Sequence, residues 1–291
     1  MKIVELGYPD NDVADTLFSS VAVGNFDGVH IGHQHVIRRA KSLAEKSGLK
    51  SGVMTFHPHP RQILQGDNGA AYSIMSLQRK LERIEELGVD LLYLLRFDRH
   101  MAKLTPDEFV NRYILANHIR ELVVGYDFRF GCKGSGNTDT LRNLSLQTGG
   151  FGFHVVLPVT LDGDKISSTR IRNCIAGGRM EEVHRLMGGH YRIEAVAGPA
   201  INARNHRFAE MTIEAQAVTG CLMPAPGVYQ AEIRWRGQRQ RARVEVGCAT
   251  GELKLYMPAV DRSLYGACIM IDFLEVAAGE RRIEVGGVKS E

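Results

Sequence analysis

The chain has 291 residues, 44% hydrophobic and 24% charged, with a formal net charge of +3. This composition excludes disordered and fibrous classes, and a small net charge with no run of five like charges gives little support to a nucleic-acid tail. Five cysteines without a C-x-x-C spacing, no apolar leader and no apolar run near the roughly 18 residues of a membrane span predict a cytoplasmic protein with reduced thiols.

From residue 20 to 160, short apolar runs alternate with amphipathic segments, the pattern of an α/β fold with a parallel sheet. Strands are predicted in SVAVGN, KSGVMTFH, VDLLYLLRF, ELVVGYDF and FHVVLPV, with crossover helices in HQHVIRRAKSLAEKSG, SLQRKLERIEELG and TPDEFVNRYILANHI. Ser76 starts the second helix, and Thr105, Pro106 and Glu108 form a capping box for the third; Gly48 and Gly88 stop the helices before them. Past residue 187 the texture changes to period-2 stretches such as GVYQAEIRW and ACIMIDFLEV, predicting a small antiparallel barrel or sandwich. The basic stretch RWRGQRQRAR, Arg234 to Arg243, reads as the outward face of a β-hairpin. At roughly 100 to 200 residues per domain the length predicts two domains, placed here at 1–187 and 188–291.

The chemistry concentrates in VAVGNFDGVHIGHQHVI, residues 21 to 37: a strand, a glycine-rich turn and a helix entrance. Ligands of open α/β sheets lie beyond the carboxyl ends of strands, and a helix N-terminus offers N–H groups to phosphate. His30 and His33, three apart, present two imidazoles to one anion, with Gly32 removing bulk between them. A metal site is the competing use, but it wants a third ligand, and His35 falls on another helical face. In ISSTRIR, residues 166 to 172, Ser167 or Ser168 caps a helix whose first turn adds Thr169, Arg170 and Arg172. Two arginines at a helix start oppose the dipole, which points to an anion.

HIGH with ISSTRIR resembles the nucleotidylyltransferase superfamily, in which the two motifs flank a nucleoside triphosphate. With TFHPHP at 55 to 60, VVGYDFRFG at 123 to 131 and GSGN at 134 to 137, the chain more narrowly resembles the bacterial FAD synthetases, bifunctional riboflavin kinase/FMN adenylyltransferases. The resemblance implies a Rossmann-like domain followed by a β-barrel. It implies that Gly24, Asn25, Phe26, Asp27 and Gly32 line ATP, that His30, His33, Ser168, Thr169 and Arg172 act on its phosphates, and that Phe56, Pro58, Asp127, Phe128 and Phe130 border the flavin. The implied reaction is attack of the FMN phosphate on the α-phosphorus of ATP with Mg²⁺ present and no resident metal. The small-molecule substrates imply neither a nucleic-acid nor a membrane partner.

The kinase signature of that family, Gly-Phe-Pro-Thr-Ala-Asn, reads here within NHRFAEMTIEA, leaving Thr212 with Met211 in place of the proline and Glu214 in place of the asparagine. Glu252 is the nearest counterpart of the kinase glutamate, and the expected C-terminal helix is missing. The barrel is therefore expected to be degenerate and riboflavin kinase activity lost. The alternatives are a fully bifunctional enzyme, an adenylyltransferase with another phosphate substrate, and a non-catalytic flavin or nucleotide carrier.

Overall fold

A computed structural model describes residues 1–7, 17–65, 72–201, 211–218, 220–249, 251–258 and 262–277. The chain divides into two units: Met1–Ala70 with Leu77–Ser167, and Ala71–Ser76 with Ser168–Glu291.

The first unit contains, in chain order, β1 (Lys2–Leu6), β2 (Ser19–Val23), α1 (Ile31–Ser47), β3 (Lys50–His57), α2 (Pro60–Gln65), α3 (Leu77–Glu85), β4 (Leu91–Arg96), α4 (Pro106–Phe109), β5 (Ile119–Gly125), α5 (Thr138–Thr148), β6 (Gly152–Val156) and the short hairpin β7 (Thr160–Leu161) and β8 (Asp164–Lys165). Six strands form one parallel sheet in the order β1-β4-β3-β2-β5-β6. All five residues of β2 are buried, as a central strand covered on both faces requires. Chain order reverses beside β2, which lies between β3 and β5, so the loop leaving its carboxyl end sits at the sheet's switch point.

Helix α1 buries Val36, Ile37, Ala40 and Ala44 and ends at Gly48, whose left-handed φ of 65° lets its N–H reach the Ala44 carbonyl. A separate core joins Met54, Tyr93, Leu95, Phe109, Tyr113 and Phe130. The predicted capping box at Thr105 is present, with the Glu108 N–H donating to Oγ1 at 3.2 Å and the Thr105 N–H to the Glu108 carboxylate at 2.8 Å. Beyond it α4 widens into π-helical turns over Val110–Leu115. Strand β4 is latched to β3 by Asp90, whose Oδ2 accepts from the Ser51 N–H at 2.9 Å and hydroxyl at 2.7 Å. These bonds hold its carboxyl below the usual aspartate range.

The second unit contains α6 (Ser168–Ala176), α7 (Met180–Met187) and six antiparallel strands: β9 (Tyr191–Ile201), β10 (Met211–Ala217), β11 (Gly227–Trp235), β12 (Gln238–Val246), β13 (Glu252–Met257) and β14 (Cys268–Val276). They close in the order β10-β13-β12-β11-β14-β9, with β9 returning to β10. Of the two architectures expected, the barrel is the one formed. Inward positions of each strand, among them Ile193, Ile213, Ile233, Val244, Leu255 and Ile271, fill it. RWRGQRQRAR is the predicted hairpin: Trp235 opposes Gln238 across Arg236 and Gly237, both at positive φ. Its arginines lie on the outward side, with Arg234, Arg236, Arg239 and Arg241 exposed and Arg243 half-buried, and Arg234 meets Glu232 at 2.7 Å and the buried Asp272 at 2.9 Å. Arg192 also clamps Asp272, at 2.6 and 2.8 Å.

Candidate active site

Two hydrogen bonds anchor the turn after β2 to its neighbours: the Gly24 N–H donates to the Met54 carbonyl at 3.1 Å, and the Asn25 carbonyl accepts from Thr55 Oγ1 at 3.0 Å. Lys80 of α3 donates to that same carbonyl at 3.1 Å. Phe26, Gly28 and Val29 then take left-handed φ angles of 47°, 88° and 37°. For phenylalanine and β-branched valine this is a backbone cost, of a kind concentrated at functional sites. A Phe26 carbonyl bond from the Val29 N–H at 3.1 Å closes the turn, and Gln34 Nε2 ties the Val29 carbonyl to α1 at 3.0 Å.

His30 caps α1. Its Nδ1 accepts the His33 N–H at 3.2 Å, so Nδ1 carries no proton and the neutral ring holds its proton at Nε2. The rings of His30 and His33 stack with centroids 3.5 Å apart and an interplanar angle of 18°, and Phe26 meets His33 edge-on at 5.3 Å. A Cβ at Gly32 would stand 3.2 Å from the His30 ring, and one at Gly24 3.1 Å from the Phe26 ring, so both glycines let the rings close in. The two imidazoles expected to lie together from their spacing of three residues do so. His35 is exposed, with Nδ1 turned onto its own helix at Ile31 O, 2.9 Å away. Asp27 and Phe26 are each only 2% exposed, which places both in the wall of the turn.

The flavin candidates fall into two groups. Phe56 and Phe130 are core residues: Phe56 packs against Phe97 and Phe109 at 6.1 and 6.5 Å, and Phe130 against Phe109 at 5.5 Å. Phe128 is half-buried, stacked on Phe130 at 5.5 Å and 13°, and Pro58 is also half-buried. A Cβ at Gly136 would stand 2.7 Å from the Phe130 ring, which explains the small residue in GSGN. Asp127 is exposed and accepts from Lys165 Nζ at 2.6 Å.

In the second motif, Ser168 and Thr169 form the first turn of α6. The two arginines part company. Arg170 grips Glu182 of α7 through Nε and a terminal nitrogen, at 3.1 and 2.9 Å, so the anion inferred for it from the sequence includes a carboxylate of the protein itself. Arg172 donates from Nε to the Tyr72 carbonyl at 3.0 Å, and its guanidinium lies 3.9 Å over the Tyr72 ring. Tyr72 and Lys80 were not singled out from the sequence. For Lys80 a signal existed: Ile84, four residues on, marks the inward face of α3, and a lysine on that face is out of place.

In the barrel, Thr212 and Glu214 lie on β10, with Glu214 exposed and opposite Lys254. Glu252 opens β13 and is exposed. Residues 205–210 of the expected kinase stretch, and the C-terminal segment expected to lack a helix, lie outside the described residues.

The FAD synthetase family pattern matches residues 14–170. The chain is 34% identical to the bifunctional riboflavin kinase/FMN adenylyltransferase of Listeria monocytogenes over 250 residues, 85% of this chain and 78% of that protein. The protein of the same name from Bacillus subtilis is 31% identical over 299 residues, covering 99% and 93%. A crystal structure described as a macrolide-efflux protein from Streptococcus pneumoniae superposes with a TM-score of 0.84 at 29% identity, over 97% of this chain and 93% of that one. Among the described residues no helix is long and apolar enough to cross a membrane.

Proposed function

The chain belongs to the FAD synthetase family, and on that premise we propose that it transfers AMP from ATP to the phosphate of FMN, giving FAD and pyrophosphate. It is an enzyme of the nucleotidyltransferase class. The observation that carries the reading is the stacked His30–His33 pair at the entrance of α1, at the sheet's switch point.

An FMN phosphate oxygen attacks the α-phosphorus of ATP. The new P–O bond forms as the bond to the bridging oxygen of the β-phosphate breaks, and the electron pair leaves on pyrophosphate. Such transfers need positioning and charge stabilisation rather than a protein nucleophile. His30, with its cap bond fixing the proton at Nε2, supplies a preset donor for the charge that develops, and His33 is held parallel to it. Gly24, Asn25, Phe26, Asp27 and Gly32 are the proposed walls of the ATP site, and Ser168, Thr169 and Arg172 further phosphate donors. Mg²⁺ enters as part of the ATP substrate, whose phosphate oxygens suit a hard cation. For the flavin, Phe128 offers ring surface with Phe130 stacked on it, and Phe56, Pro58 and Asp127 are the other proposed contacts.

We assign the adenylyltransferase module to 1–187 and the kinase-like barrel to 188–291, in a cytoplasmic enzyme without a nucleic-acid partner. Riboflavin kinase activity is proposed to be lost, because Met211 and Glu214 replace the proline and asparagine of the family signature. The bifunctional reading has one observation in its favour, the match to the Bacillus subtilis protein across 99% of the chain, barrel included. Substrate choice is tested by pyrophosphate release from ATP with either FMN or nicotinate mononucleotide. Release dependent on FMN is expected; faster release with the nicotinate substrate would assign the chain to another branch.

A further inference from the structure

Lys80 is 6% exposed, although it sits on the inward face of α3, where leucine or methionine would fill the space without a charge to desolvate. Its ammonium donates to the Asn25 carbonyl, which Thr55 of β3 also grips. The charged and titratable groups that Lys80 is electrostatically coupled to include the buried Asp27 from the turn and the exposed His57 from the end of β3. Two elements thus hold one carbonyl of a turn that carries left-handed Phe26 and Val29 and delivers His30 to the helix entrance. Strained backbone of this kind persists only where its surroundings fix it.

Building on the adenylyltransferase reading, we propose that Lys80 is a positioning residue for nucleotidyl transfer: through Asn25 and Asp27 it locks the turn from Gly24 to His30, so that the imidazole pair is preset before ATP binds. Preset donors need no reorganisation as charge develops, and a misplacement of about 1 Å can cost roughly 10²-fold in rate. The charge matters as well as the hydrogen bond. Burial pushes the Lys80 ammonium down from its ordinary range while Asp27 opposes the shift, and as pH rises through that lowered value the ammonium is lost and Asp27 is left unbalanced. Activity therefore falls on the alkaline side.

The test compares wild type, Lys80→Met and Lys80→Arg by FAD formation across pH, and by hydrogen exchange of the amides of residues 24–30 without substrate. Lys80→Met is expected to lose about 10²-fold in kcat with the KM for FMN unchanged, and to exchange faster at 24–30 with β2 and β3 unaltered. Lys80→Arg, which keeps its charge, should recover most of the rate and move the alkaline limb upward. Wild-type kcat and exchange in Lys80→Met would overturn the proposal, as would a Lys80→Arg profile with the limb unmoved. The exchange arm needs no turnover: were wild type to make no FAD, the adenylyltransferase reading would fall, while unchanged protection in Lys80→Met would sink the Lys80 assignment separately. Should Lys80→Met fail to fold, the Lys80→Arg limb decides.

Discussion

Position 30 caps a helix with an imidazole, where serine, threonine, aspartate or asparagine is the usual choice. Asparagine could accept the same His33 N–H but has no ring to stack and no Nε2 proton to give. His30→Asn is therefore expected to keep the stability of the fold while lowering turnover by about 10²–10³; His30→Ala should lose both, with about 1 kcal/mol of stability gone. His33→Ala should lose turnover on the same scale, with FMN binding little changed, as read by flavin fluorescence titration. Near-normal turnover in all three variants would remove the pair from the mechanism. Arg172→Lys is expected to lose activity too, since an ammonium cannot reproduce the flat stack on Tyr72 together with the Nε bond to its carbonyl. The histidine pair was legible because its partners are three residues apart in one turn. For Lys80 the inward face was legible but not the carbonyl it holds, 55 residues away, and Tyr72 was not legible because its partner Arg172 lies 100 residues away in the chain.

Elements were legible where periodicity was long. The five strands expected from residue 20 to 160 all lie in the parallel sheet, and Gly48 stops α1 as expected. Strand β1 was missed because five residues give little alternation to read, and its place is set by pairing with β4, nearly ninety positions on. The helices α2, α5 and α7 were not among the expected ones, although Met180, Val183, Leu186 and Met187 repeat an apolar face along α7. The β3–β4 latch was equally invisible, since Ser51 and Asp90 are 39 residues apart. Asp90→Asn tests it. The aspartate's folded pKa is depressed, so its contribution is fully present above the ordinary aspartate value and is lost as pH falls through the lower folded one. Because the side chain is 46% exposed, the expected loss at neutral pH is only about 0.5–1 kcal/mol. Denaturant midpoints of the two proteins should converge in acid; a constant difference across that range would show that the charge plays no part.

At the scale of the whole molecule, the change of texture after residue 187 announced a second, all-β part, and a closed barrel is what the strands from Tyr191 onward build. Period-2 alternation alone could not choose between barrel and sandwich, because closure depends on β14 returning to β9 and β13 to β10, pairings between strands distant in the chain that no local pattern encodes. The same limit applies to the activity of the barrel, whose expected Mg²⁺ and ATP element reads Met211, Thr212, Ile213, Glu214. Glutamate remains an oxygen ligand, but it is longer than asparagine and fully charged, and here it faces outward opposite Lys254. Loss of phosphoryl transfer to riboflavin is the expected consequence. One experiment tests both activities directly: purified protein is incubated with ATP and Mg²⁺ and either FMN or riboflavin, and the flavins are separated. FAD from FMN, and neither FMN nor FAD from riboflavin, is the predicted result. No FAD from FMN would contradict the assigned activity, and riboflavin converted to FMN in a reaction abolished by Thr212→Ala and untouched by His33→Ala would show that the barrel is a working kinase.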